Sequence, residues 1–433
     1  MFRKAGLAVL VFILAGCTLY SEVDVTPLAL LPSHIDRGTD MQGMLRRSDY
    51  LRAIEMASAI DAKKNATDLG HLGSAYLAAG RYGDARGRLR AALDLDPFRT
   101  TYAQIAWDLS QVEYLSNNFE SSLEWALIAR ERGLNIRQWH LDYLRAMAGR
   151  PVYTFSGAPS DSLKFKFGRP DVPRVTVRAN GKHDIEAVID SGAVVSIVSK
   201  RFATTHALKP LGKFEGTFYG LLGEPIAVSF AMLDRLELGD VIVENIPVAI
   251  MPDEKMRFLI SRRDGTEFNM DFLLGSNLLK EFRLELDFDR ARVTFTRLTE
   301  RDRRPAADQN LFFEGFRPHV RGSINRRAWY IFILDTGSEV TFLNEARMQS
   351  LPVQMFGGAH TAMLQGLGGS MKRGAKLENV EIGIDQWGGK FKTLPMYMAA
   401  DRDQAVGIIG QNFLKNFNVV IDFGRMRVDL TRR

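Results

Sequence analysis

The pattern of apolar and polar positions divides the chain at about residue 150. From residue 41 to residue 150, apolar residues recur at helical spacing, and Gly and Pro are rare within segments. Pro151 and the Gly and Pro of residues 157–159 end this pattern, and from residue 160 apolar and polar residues alternate as in half-buried strands. The pattern therefore predicts an α-helical domain over residues 41–150 followed by an all-β domain.

The helical part contains a unit of two helices that occurs twice. In residues 72–97, the small residues Gly73 and Ala85 allow two helices to approach closely, a turn falls at Gly80, and Pro97 ends the second helix. A looser copy covers residues 105–134. These units resemble tetratricopeptide repeats, which implies a short solenoid with a groove for a peptide or protein partner. The alternative is a spacer or a dimerisation element without a ligand.

The β part is an internal duplication. Two short turn motifs each follow an apolar run, and their residues are Asp190, Ser191 and Gly192 in the first copy and Asp335, Thr336 and Gly337 in the second. A single motif of this kind is weak, since Asp and Gly are common in turns. Here each is followed by an apolar-apolar-Gly segment, ending at Gly275 and Gly410, with closely matching flanking sequences. The sequence therefore predicts two lobes, over residues 160–300 and 308–433.

The doubled motif resembles the aspartic proteases of the pepsin and retropepsin type. The resemblance covers about residues 160–433 and implies an all-β protease domain of two duplicated lobes. It implies that Asp190 and Asp335 are the catalytic residues. Two carboxylates a few ångströms apart share one proton, so that one acts as base on a water and the other as acid. The resemblance also implies supporting roles in the catalytic turns for Ser191, Gly192, Thr336 and Gly337, and lobe-bracing roles for Gly275 and Gly410.

Each lobe also contains a Gly-bounded segment at the position of the family's flap, a hairpin that closes over the substrate. The first includes Tyr219 and Gly220, and the second includes Gln365 and Gly366. Tyr219 is a candidate for orienting the substrate, with simple packing as the alternative. Because retropepsin dimers have two flaps and pepsin-like chains generally keep one, two flap-like segments favour a fused retropepsin-like pair.

The first 17 residues have the pattern of a targeting signal. Arg3 and Lys4 precede an apolar run over residues 5–16 that is too short to span a bilayer, and Cys17 follows it. The pattern resembles a bacterial lipoprotein signal, with residues 1–16 removed, Cys17 lipidated and residues 17–40 serving as a tether. A cleavable secretory signal is the alternative. With Thr18 after the cysteine, we expect an envelope protein that faces the periplasm and is attached to the outer membrane.

Charge and the remaining residue types exclude several functions. The formal net charge is only +6 for 433 residues and the basic residues are scattered, so a nucleic-acid partner is not indicated. The seven His and the single Cys do not show metal-ligand spacing, and we expect no metal or other cofactor. The sequence thus predicts an envelope-anchored aspartic endopeptidase whose helical repeats recruit a protein substrate or a regulator. A non-catalytic scaffold lipoprotein is the alternative, and domain-swapped dimers are a further option for the lobes.

Overall fold

The computed structural model describes residues 23–28, 40–63, 65–96, 101–220, 223–260, 265–353, 362–365, 371–397 and 404–433. The signal segment, the predicted lipidation site Cys17 and the predicted flap residue Gly366 lie outside these residues. Within them, no helix is long and apolar enough to cross a membrane.

The helical region has eight helices: α1 (Met41–Arg46), α2 (Tyr50–Glu55), α3 (Ala57–Lys63), α4 (Ala66–Ala78), α5 (Tyr82–Leu95), α6 (Tyr102–Leu115), α7 (Phe119–Glu131) and α8 (Gln138–Met147). The pairs α4–α5 and α6–α7 stack side by side, and α8 packs against α7. A Cβ atom at Gly73 would lie 2.5 Å from the side chain of Leu89, so the predicted close approach of two helices at this glycine is present. The turn between α4 and α5 falls at Gly80, whose φ is +71°.

In the described residues after residue 150, the β-rich half contains three short α-helices and nearly all of the strands. The helices are α9 (Lys200–Thr205), α10 (Ser276–Leu279) and α11 (Gln411–Leu414). The strands of the first lobe are β2 (Thr154–Gly157), β3 (Ser160–Lys166), β4 (Arg174–Ala179), β5 (His183–Ile189), β6 (Ser196–Ser199), β7 (Lys209–Pro210), β8 (Gly216–Tyr219), β9 (Pro225–Leu238), β10 (Val241–Met251), β11 (Arg257–Leu259), β12 (Glu267–Asn269), β13 (Phe272–Leu274), β14 (Phe282–Asp287) and β15 (Arg292–Arg297).

The second lobe repeats this order. Its strands are β16 (Leu311–Glu314), β17 (Arg317–Ile324), β18 (Ala328–Leu334), β19 (Phe342–Asn344), β20 (Ala362–Gln365), β21 (Met371–Ile384), β22 (Trp387–Tyr397), β23 (Gly407–Ile409), β24 (Phe417–Asp422) and β25 (Arg427–Arg432). Each lobe contains a hairpin, β4–β5 in the first and β17–β18 in the second. The second strand of each hairpin pairs in parallel with a strand that comes later in the chain. These parallel pairs are β5–β13 and β18–β23.

The two lobes are joined by hydrogen bonds within one chain. Strand β14 of the first lobe pairs with β24 of the second in antiparallel register, with Leu284 opposite Ile421. Strands β15 and β25 extend this sheet on either side. The side chains of Leu284 and Ile421 are fully buried, so the sheet also closes the core between the lobes.

The predicted tether differs from the structure at residues 23–27. These residues form strand β1 (Val23–Pro27), which pairs antiparallel with β22 of the second lobe. Two features of the local sequence explain the pairing. Val23 and Val25 alternate with polar residues, and Gly388 and Gly389 of β22 leave room for the side chains of Leu28 and Val23.

The helical region packs directly on the β-rich half. Phe316, at the tip of the β16–β17 hairpin, lies against the rings of Trp107, Tyr114 and His140, with centroid distances of 6.3, 4.5 and 6.3 Å. The side-chain amide of Gln309 donates a hydrogen bond to the carbonyl of Ala79, 3.2 Å away. The helices and the second lobe therefore share one core.

Candidate active site

The two Asp-Ser/Thr-Gly turns meet at the junction of the lobes. Asp190 follows β5, and its N–H donates to the carbonyl of Leu274 at 3.0 Å. Asp335 follows β18, and its N–H donates to Ile409 at 3.1 Å. Both carboxylates are fully buried. In each lobe, a parallel strand pair ends at the Asp turn, β5–β13 at Asp190 and β18–β23 at Asp335. The two carboxylates therefore meet at the junction of the lobes.

The hydroxyl groups of Ser191 and Thr336 tie the lobes together. Ser191 Oγ donates to the carbonyl of Leu334 at 2.7 Å and accepts from the N–H of Thr336 at 3.1 Å. Reciprocally, Thr336 Oγ1 donates to the carbonyl of Ile189 at 2.7 Å and accepts from the N–H of Ser191 at 3.0 Å. The predicted support residues therefore form four hydrogen bonds across the pseudo-twofold axis, all buried.

Gly192 and Gly337 allow the two turns to touch. A Cβ at Gly192 would lie 2.4 Å from Cγ of Asp335, and a Cβ at Gly337 would lie 2.4 Å from Cγ of Asp190. Each position must therefore be glycine, because any side chain there would collide with the carboxylate of the other lobe. The turns also bring N–H groups to the acids, because Ala193 N–H donates to Asp190 Oδ1 at 3.0 Å and Gly337 N–H donates to Asp335 Oδ1 at 2.9 Å.

The environment favours a dyad that holds a proton. Burial raises the pKa of Asp190 to about 7, although hydrogen bonds to its carboxylate oppose the rise. Burial and then the charge of Asp190 raise the pKa of Asp335 well above its ordinary value. Because the two groups are so close, the proton belongs to the pair rather than to either residue. The geometry supplies what acid–base chemistry on a carbonyl requires, namely one ionised and one protonated carboxyl group side by side.

Gly275 and Gly410, the two predicted bracing glycines, lie against the backbone a few residues after each Asp turn. A Cβ at Gly275 would lie 2.5 Å from the carbonyl carbon of Val195, and one at Gly410 would lie 2.6 Å from that of Val340. The N–H of Gly275 donates to Ser196 Oγ at 3.0 Å. Each segment therefore packs against the chain that follows its own Asp turn.

Sequence reasoning missed two asparagines that complete this brace. Asn277 Oδ1 accepts from the N–H of Ser196 at 2.7 Å, and Asn412 Oδ1 accepts from the N–H of Thr341 at 2.8 Å. The signal was present in the sequence, because both asparagines stand two residues after the bracing glycine in the two matching tails.

Among the described residues, the cation Arg317 acts on the Asp335 side of the dyad. Arg317, buried at the start of β17, acts to lower the pKa of Asp335, against the larger effect of burial. Val172 takes the equivalent place before the first turn, since both residues precede a proline and stand 18 positions before the Asp. The two lobes are therefore not electrostatically equivalent.

The three predicted flap residues that the structure describes lie in hairpins. Tyr219 ends β8 and Gly220 starts the turn into β9, where the N–H of Gly220 donates to the carbonyl of Glu224 at 2.9 Å. Gln365 ends β20, which pairs with β21. In the described part of the chain, no group of three or more His, Cys, Asp or Glu side chains could hold a metal ion.

Comparison with known proteins agrees with this geometry. The profile of the aspartyl protease family matches residues 175–278, which include Asp190 and Gly275. A retropepsin-like aspartic protease from Rickettsia conorii is 17% identical, with 34% of this chain and 96% of that chain covered and a TM-score of 0.22. The aspartic proteinase from Irpex lacteus is 10% identical, with 63% and 97% covered and a TM-score of 0.37. A search of the curated proteins finds no match.

The profile match and the paired turns carry the assignment, and the two distant structures add nothing to it. Residues 175–278 thus carry the profile of an aspartyl protease domain, and the chain consists of a helical region followed by a β-rich region of two similar lobes.

Proposed function

We propose that the protein is an aspartic endopeptidase of the bacterial envelope, anchored by a lipid on Cys17, that hydrolyses peptide bonds with the pair Asp190 and Asp335. The observation that supports catalysis is the meeting of two buried carboxylates from different lobes, each held by a backbone N–H through one oxygen. A fold kept only for binding has no need of both acids in this arrangement.

The proposed reaction follows from a dyad with one shared proton. The ionised carboxylate takes a proton from a water molecule whose oxygen bonds to the scissile carbonyl carbon, while the protonated carboxyl group gives its proton to the carbonyl oxygen. The resulting gem-diol collapses as the C–N bond breaks: one of its hydroxyl groups returns a proton to the ionised carboxylate, and the amine nitrogen receives the proton of the protonated carboxyl group. The products are a carboxylic acid and an amine, and the dyad again holds one proton.

The pH dependence of cleavage tests this mechanism. Because burial raises the pKa of Asp190 to about 7, the pair is doubly protonated and unable to activate water well below that pH. We expect kcat/KM for a peptide mixture to rise through about pH 7 when the protein, produced without residues 1–17, is assayed from about pH 4 to about pH 9. A maximum in the acid range would contradict the proposal. No dyad-dependent cleavage at any pH would favour the scaffold alternative.

Attachment to the membrane is a separate proposal, supported by the sequence around Cys17. We expect the Cys17→Ser variant to lose incorporation of radiolabelled palmitate and to move from the membrane fraction to the soluble periplasmic fraction. The variant should keep peptide cleavage, because Cys17 precedes the first strand and is far along the chain from both acids. Unchanged labelling in Cys17→Ser would rule out lipidation at this residue.

In this proposal the helical region recruits a protein substrate or a regulator. Phe316 of the second lobe packs on Trp107, Tyr114 and His140, so these three residues face the second lobe. A separate protein partner would therefore bind another helical surface.

A further inference from the structure

Helix α8 contacts the flap of the first lobe, defined here as the β8–β9 hairpin over residues 216–230. Trp139 stacks on Phe230 with a centroid distance of 5.9 Å and an interplanar angle of 18°, and it meets Phe218 edge-on at 6.0 Å. Trp139, Phe218 and Phe230 are all buried. A Cβ at Gly216 would lie 2.9 Å from the ring of Phe230 and 3.2 Å from the ring of Trp139, so glycine at this position leaves room for the two stacked rings.

A second contact reaches closer to the tip of the flap. The guanidinium of Arg137, immediately before α8, lies 5.1 Å from the centroid of the Tyr219 ring. Tyr219 is the last residue of β8 and precedes the turn at Gly220. Two residues of the helical region, two positions apart, therefore contact both the base and the end of the first flap strand.

The same helix is fixed to the second lobe. His140, next to Trp139, packs on Phe316, which has a φ of +70° although it is a bulky residue. This strained residue is 5% exposed, so its burial among helical aromatic rings outweighs the cost of its backbone conformation. Arg317, whose charge acts on Asp335, is the next residue. Helix α8 thus connects the flap of one lobe with the strand beside the acid of the other.

We propose that Arg137 and Trp139 are positioning residues that hold the first-lobe flap in its substrate-binding posture, which makes the helical region a part of the active site. This inference rests on the proposed peptidase function, because it assigns those residues a role in that reaction. A flap that is already ordered loses less conformational freedom when a peptide binds beneath it, so the helical contacts should lower KM. The binding class affected is an extended peptide, the substrate of the proposed function, which the resemblance to aspartic proteases places beneath the flap.

The test compares the full-length protein with Trp139→Ala, Trp139→Phe and Arg137→Ala. Loss of one or two ring contacts should raise KM by about two- to tenfold, with a smaller change in kcat. Hydrogen exchange of the amides in residues 216–220 and 223–230 should become faster by a similar factor. Trp139→Phe should restore most of both properties. Arg137 is only partly buried, so Arg137→Ala keeps the test decisive if Trp139→Ala does not fold.

Trp125→Ala is the matched control. Trp125 is a partly buried tryptophan of α7 in the same helical region, and it has no ring contact with the flap among the described residues. Its removal should lower stability without changing KM or flap exchange. If flap exchange in Trp139→Ala and Arg137→Ala equals that in Trp125→Ala, the positioning role is wrong. Because hydrogen exchange needs no catalysis, it decides the positioning role even if wild-type protein proves unable to cleave peptides.

Discussion

Asp335→Asn is expected to lower the rate of peptide cleavage by at least about 10³-fold, the loss expected when an acid–base group is removed. Asparagine has nearly the shape of aspartate, and its side-chain oxygen can still accept from the N–H of Gly337. It cannot share or transfer a proton. The measurement is kcat/KM on a peptide that the wild type cleaves, at the pH of its maximum.

The same variant is expected to be more stable than the wild type at neutral pH. Burial and the adjacent Asp190 raise the folded pKa of Asp335 well above the unfolded value of about 4. The folded state therefore binds more protons than the unfolded state above that pH, and this contribution to stability is lost as pH rises toward the folded pKa. Asparagine does not titrate, so its advantage should grow as the pH rises from about 4 toward the raised folded pKa of Asp335. Urea unfolding at several pH values measures it.

Asp289→Asn provides a control with the opposite shift. Hydrogen bonds from Arg433 and Asn418 lower the pKa of Asp289, which is exposed on the surface. Its charged form is favoured in the folded state above the unfolded pKa, so the variant should gain no stability as pH rises, and cleavage should be unchanged. If Asp335→Asn retains wild-type cleavage, or loses as much stability with rising pH as the wild type does although it has one titrating acid fewer, a proton-sharing dyad is wrong.

The doubled motif made much of the site predictable. Asp190 and Asp335 are far apart in sequence, but equal turns at the ends of equal strand pairings must lie at equal places in two duplicated lobes. The matched tails predicted the positions of Gly275 and Gly410 for the same reason. A duplicated sequence thus carries information about long-range contacts that a single motif lacks.

Contacts between unlike parts of the chain were not predictable in this way. Phe316 reads in the sequence as one more apolar residue of a strand, and nothing near it indicates a helical partner. Trp139 has the spacing of a core residue in an amphipathic helix, and it is buried as that spacing predicts. Its neighbours in the core, however, include Phe218 and Phe230 of the first lobe. Periodicity indicates which face of an element is buried and does not indicate what covers that face. Strand β1 was missed because its partner glycines lie more than 360 positions away.

The contacts of α8 with both lobes couple the helical region to the protease domain. A repeat domain tied only by a linker would leave the protease geometry unaffected by mutations in the helices. Here Arg137 and Trp139 contact the flap, and His140 contacts Phe316 beside Arg317. Substitutions in α8 should therefore alter catalysis, whereas equally buried positions on α7 should alter stability alone.

Gly337→Ala is expected to impair cleavage nearly as strongly as loss of an acid. The added Cβ would lie 2.4 Å from Cγ of Asp190 and 2.7 Å from both of its carboxylate oxygens. Movement of Asp190 away from the added methyl group would be costly in free energy, because its side chain is fully buried and accepts a hydrogen bond from the N–H of Ala193. The two turns must separate instead, which strains the hydrogen bonds across the axis. We expect a loss of about 1–3 kcal/mol in the free energy of unfolding and at least about 10²-fold in kcat/KM, since a shift of about 1 Å at reacting groups has that effect.

The equivalent glycine of the first lobe provides a second test of this prediction, and a glycine of the helical region provides a control variant. Gly192→Ala should have the same effect as Gly337→Ala, because its Cβ would meet Asp335 at the same 2.4 Å. Gly87→Ala adds the same methyl group at an exposed position of α5 with no atom within 4 Å, and it should stabilise the helix by up to about 1 kcal/mol without changing cleavage. If Gly337→Ala cleaves as well as Gly87→Ala, the carboxylate of Asp190 does not lie against Gly337 in the active enzyme. The proton could then not be shared as proposed, because the distance between the acids depends on that contact.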